Sequence, residues 1–113
     1  KRGEIMNEVI NKLQEDLGIE FYYISRDEGK VPSVVYNYKK ELNISDMKKE
    51  SARYDFYFIL IVNTKINATV EKFEEVLVNN LFRNITVNQS ATTKDNYIQI
   101  SITASKNIYK ERK

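Results

Sequence analysis

The sequence predicts an α+β domain in which two helices pack on one face of a mostly antiparallel sheet, in the order α-β-β-β-α-β-β. Three observations lead there. Apolar residues recur at helical spacing in two segments. Five other segments are rich in β-branched and aromatic residues, and most of these are joined by polar, turn-forming stretches. Helices with one apolar stripe each and a sheet of hairpin-connected strands bury one another as a two-layer sandwich. With 113 residues, no linker and no internal repeat, the chain reads as a single domain, 1–113.

The first helix is read over residues 4–17, where Ile5, Met6, Val9, Ile10, Leu13 and Leu17 fall on one stripe. Gly18 follows as its C-terminal stop. The stretch "IEFYYIS", 19–25, reads as a short strand, and "RDEGK" as a turn in which Gly29 supplies permissive backbone angles. "VPSVVYNYKKEL" is a second strand, with Pro32 at its start because proline cannot donate to a ladder. "NISDMKKES" is a polar loop or hairpin tip, and a third strand covers roughly 52–63. "NATVEKFEEVLVNN" is the second helix. Asn67 is its expected N-cap, Glu71 stands in an early turn, Val70, Phe73 and Leu77 form its stripe, and Asn80 is expected in the left-handed exit position. "FRNITVNQS" and "NYIQISITAS" complete the sheet across an "ATTKDN" turn, and "KNIYKERK" reads as a frayed basic tail. The expected core is Ile5, Val9, Leu13, Phe56, Phe58, Leu60, Phe73, Leu77, Ile98, Ile100 and Ile102.

Composition narrows the function. A net charge of +2 with acids interleaved among the bases argues against a nucleic-acid surface. The longest apolar run is far short of the roughly 20 residues a membrane span needs, and the charged N-terminal stretch is not a signal peptide. Cysteine and histidine are absent, which removes disulfides, thiolate chemistry, the usual zinc sites and every histidine-based triad. Three glycines leave no glycine-rich phosphate loop. The adjacent carboxylates Glu74 and Glu75 diverge by about 100° on a helix and read as a solvated surface, and Asp46 with Glu50 has no tuning partner. No catalytic residue, metal ligand or cofactor is therefore assigned, and an enzyme is disfavoured. Four N-x-S/T triplets, starting at Asn43, Asn67, Asn84 and Asn88, are read as chance products of an Asn-rich chain.

One stretch is too apolar for a strand covered on a single face: "RYDFYFILIVNTK", with an unbroken apolar run from Phe56 to Val62. By two-residue alternation, Tyr54, Phe56, Phe58, Leu60 and Val62 face the helices, while Tyr57, Ile59 and Ile61 face away. Leaving three such side chains open forgoes several kcal/mol, at about 1.5–3 kcal/mol each. That second face is either covered within the chain or is a contact between subunits. Tyr57, Ile59 and Ile61 are the candidate subunit interface.

"VPSVVYNYKKE" followed by "SARYDFYFILIVNTK" resembles the tail terminator proteins of tailed bacteriophages, also described as tail completion or head–tail joining proteins, including those of phage-tail-like bacteriocins. Pro32, Val34, Val35 and Tyr36 occupy that family's first strand motif, Tyr54 to Val62 its long strand, and Val70, Phe73 and Leu77 its second helix. The exit from that helix is often Gly-Phe in the family, whereas this chain has Asn80, Leu81 and Phe82. The resemblance implies a virion protein, assembled in the host bacterial cytoplasm, that caps the head-proximal end of a tail tube as a ring of six. Its implied partners are the tube protein, the sheath and the connector or neck, with DNA only passing through the lumen and no membrane contact. A closed ring uses a heterologous interface, which would account for the extra apolar face. The polar loop, with Asp46, Lys48 and Lys49, is the implied contact to tube or neighbour. Two alternatives stay open: a nucleic-acid module stacking bases on Tyr22, Tyr36 or Tyr57, and a dimeric adaptor of the same fold.

Overall fold

The computed structural model describes residues 2–25, 31–43, 50–92 and 97–110. The elements follow the expected order: α1 (Arg2–Leu17), β1 (Glu20–Tyr23), β2 (Ser33–Asn43), β3 (Glu50–Val62), α2 (Ile66–Asn79), β4 (Arg83–Thr92) and β5 (Ile98–Lys110). The strands form one five-stranded sheet in the order β1-β2-β3-β5-β4, so β1 and β4 are its two edges. With two helices and a mostly antiparallel sheet, the fold is α+β.

The exception is β1, which pairs parallel with β2 from Glu20↔Ser33 to Tyr23↔Tyr36. It is a short parallel edge, not one arm of a tight hairpin; the expected turn at 26–30 lies outside the described residues. A second difference is at the C-terminus. The stretch read as a frayed tail is strand through Lys110, because β3 begins at Glu50 and offers Lys106–Lys110 a ladder of backbone partners.

Helix ends also differ from expectation. α1 stops as anticipated at Gly18, which has φ 77 and donates its N–H to the Gln14 carbonyl at 2.7 Å. α2 starts one residue before Asn67, with Lys65 at the N-cap in a left-handed conformation and no side-chain cap. Asn67 is thus inside the first turn, and the Lys65 carbonyl accepts from both the N–H and the hydroxyl of Thr69, at 3.0 and 2.8 Å. At the other end Asn80 is not left-handed (φ −100); Leu81 is, with φ 67. The N–H of Phe82 reaches the Leu77 carbonyl and that of Leu81 reaches Val78, the paired bonds of a Schellman motif. Asn80 instead uses its side-chain amide, which donates to Asp16 on α1 at 3.0 Å and to the Val76 carbonyl at 2.8 Å, clasping the two helices.

The even-numbered residues of β3 carry the core. Phe56, Phe58, Leu60 and Val62 are buried against Leu13, Leu17, Phe73 and Leu77, with Ile100, Ile102 and Ala104 beside them on β5. Val9 and Ile98 pack only partly buried against this cluster, and the side chain of Ile5 lies outside the described residues. All five phenylalanines of the chain meet here. Phe56 and Phe58 stack at 5.4 Å, Phe73 meets Phe58 edge-on at 5.3 Å, Phe82 meets Phe56 at 5.3 Å, and Phe21 meets Phe58 at 6.1 Å. Such stacked and edge-on pairs add about 0.5–1.5 kcal/mol each beyond the area they bury. Phe21 and Phe82 were absent from the expected core because each stands next to an element boundary, where periodicity is short.

Candidate subunit interface

Away from the helices, the sheet has a face that changes character along its length. At one end Arg53 bridges Glu41 at 3.1 Å and Asp55 at 3.3 Å, and the Ser105 hydroxyl donates to Asp55 at 2.8 Å. The Ser105 hydroxyl, and then the Arg53 guanidinium, hold the Asp55 carboxyl below the usual carboxylate range. Toward the other end the face turns apolar. Tyr57 lies between Asn37 and Thr103, Ile59 between Val35 and Ser101, and Ile61 between Ser33 and Gln99.

These three residues do face away from the helices, but they are not equally open. Tyr57 is 48% exposed and Ile59 is half-buried, whereas Ile61 is only 5% exposed. Its neighbour Ser33 is fully buried. A partner arriving at this face would therefore meet Tyr57 first and Ile61 hardly at all. Asp46, Lys48 and Lys49 lie outside the described residues.

Besides Leu42 on β2, which is 59% exposed, large exposed apolar side chains stand beside the two edges of the sheet. At the β1 edge, Tyr23 is 53% and Ile24 is 61% exposed. Tyr23 continues an aromatic row on the helix side, 5.4 Å from Tyr36 and 5.9 Å from Tyr38, with Tyr38 5.6 Å from Tyr54. Burial raises the hydroxyl pKa of Tyr36 and Tyr38 above the ordinary tyrosine value. Ile24 has φ 73, and its N–H is held by the Tyr36 carbonyl at 2.9 Å.

At the β4 edge, a groove is lined by Val78, Leu81, Phe82, Arg83 and Asn107. Val78 is exposed, and Leu81 more so, at 75%. Beneath it, the Lys106 ammonium sits 5.3 Å over the Phe82 ring and donates to the Asn80 carbonyl at 2.7 Å. A cation there meets the negative end of α2 and one of its orphan carbonyls. Burial lowers the Lys106 pKa below the ordinary lysine range. Sequence reasoning missed both edges: nothing in "YYIS" or "NNLFR" signals that an isoleucine and a leucine adopt left-handed backbone. The one available signal was the departure from Gly-Phe at the exit of α2.

Of the tyrosines named for base stacking, Tyr22 and Tyr57 share the open face and Tyr36 does not. Tyr36 pairs with Phe58 on the helix side and lies 6.3 Å from Phe21, while Tyr57 is on the opposite face. No helix among the described residues is long and apolar enough to cross a membrane.

No protein-family model matches the chain, and no curated protein matches it. The fold does have a counterpart among solved structures, a chain from the virion of a native gene transfer agent (GTA) particle. The two superpose with a TM-score of 0.51 at 12% identity, over 90% of this chain and 92% of that one.

Proposed function

We propose that this chain is a structural protein of a phage-like particle, a tail terminator that closes the head-proximal end of a tail tube as a ring of six. The observation that carries this reading is the fold shared, over nearly the full length of both chains, with a component of a gene transfer agent virion. It is supported by the strand and helix motifs at Pro32–Tyr36, Tyr54–Val62 and Val70–Leu77, which resemble the terminator family. In this role the protein uses no cofactor and no catalytic residue. Its partners are identical neighbours in the ring, the tube protein on one side, and connector, neck or sheath on the other. Its destination is the virion.

Native mass spectrometry over a wide concentration range, alone and then with purified tail tubes, tests the reading. A six-fold species, free or formed on the tube end, is the expected result. A stable dimer that ignores tubes would overturn it in favour of a dimeric adaptor.

A further inference from the structure

Two residues of the described chain combine features that rarely coincide: Ile24 and Leu81 are large aliphatics, both are mostly exposed, and both hold positive φ, at 73 and 67. A β-branched residue in that region is a genuine outlier, and leucine there takes a place that glycine fills without strain. Backbone strain spent on displaying an apolar side chain to water is unfavourable twice over, and such strain clusters where a surface is used. The two residues stand at opposite edges of the sheet, Ile24 just after β1 and Leu81 just before β4. Each has an exposed apolar companion, Tyr23 and Val78 respectively.

We infer that these two corners are the two halves of one heterologous contact: the Tyr23–Ile24 corner of one copy seats in the Val78–Leu81 groove of the next. A closed ring requires two different patches on opposite sides of each subunit, and that is the arrangement of these corners. The pairing rests on the ring reading and names the residues that would close it.

The absence of cysteine allows a direct test. Ile24→Cys and Leu81→Cys variants, each checked for wild-type thermal stability, are mixed and oxidised at a concentration where the wild-type chain is assembled. If wild type assembles only on the tube end, this is done with tubes present. The mixture is expected to give a heterodimer cross-link in preference to either homodimer. The double variant is expected to give a ladder ending at the ring size. A six-fold species without the heterodimer cross-link overturns this contact and leaves the ring standing. Preferred homodimers, or wild type that stays monomeric even with tubes, overturn both. As a second check, Leu81→Gly relieves the backbone without touching the core, so it is expected to fold at least as stably as wild type and to lose assembly. Unimpaired assembly of that variant counts against the contact.

Discussion

From Phe56 to Val62 both faces of β3 are apolar in sequence, yet they differ in fate. Phe56, Phe58 and Leu60 are sealed under the helices, while Tyr57, Ile59 and Ile61, one residue out of step, run from exposed through half-buried to buried. Apolar character alone therefore does not fix burial. The covered face is decided by two helices that must hide their stripes somewhere, whereas on the open face burial rises along the strand toward Ile61. Ile61 sits where Ser33 is itself enclosed, and Tyr57 sits between the short polar side chains of Asn37 and Thr103.

Substitution separates the two faces most strongly at Phe58. Phe58→Ala removes a ring that touches Phe21, Phe56, Phe73 and Phe82, and is expected to cost about 3–5 kcal/mol in urea unfolding. That is a large share of the roughly 5–15 kcal/mol that holds an ordinary domain folded, and enough to unfold a marginal one. On the open face, Ile61→Lys is expected to cost roughly 2–4 kcal/mol because the ammonium would be enclosed, whereas Tyr57→Lys should stay within about 0.5 kcal/mol. Equal effects at the two positions would mean that the exposure difference does not reflect packing. On the helix side the polar anchor is Lys106, and Lys106→Met, which keeps the stem over Phe82 but loses the bond to Asn80, is expected to cost about 1–2 kcal/mol.

The smallest effect belongs to the charged end of the open face. Asp55 has a folded-state pKa held below its ordinary 3.8, so its contribution is present above that value and is lost as pH falls through the folded pKa. Asp16, lowered by Lys12 and then by Asn80, adds to the same acid window. Asp55→Asn should accordingly flatten part, not all, of the fall in stability measured between about pH 5 and pH 2.

Much of the fold was legible because long amphipathic periods are redundant. Leu13 and Leu17 in α1, Phe73 and Leu77 in α2, and alternate residues of β3 and β5 each repeat the same instruction several times. The errors fell where a single residue carries the signal. Asn67 and Asn80 are good capping residues by type, yet Lys65 caps α2 and Leu81 takes the left-handed turn, since chain entry and exit are set by where β3 and β4 must lie. The tail from Lys106 looks like solvent-exposed polar sequence and becomes strand because a partner extends to meet it.

The candidate interface divides in the same way. The apolar surplus of Tyr57, Ile59 and Ile61 was visible as a pattern; the corners at Ile24 and Leu81 were not. By itself the sequence determined the fold class, the element order, the face of β3 that packs on the helices, and the absence of thiol and imidazole chemistry. All of these follow from composition and local period. Only the tertiary structure decided that β1 is a parallel edge, that Ile61 is enclosed, and that two strained aliphatics stand at opposite ends of one sheet. Those depend on which distant segments become neighbours, and no local period encodes that.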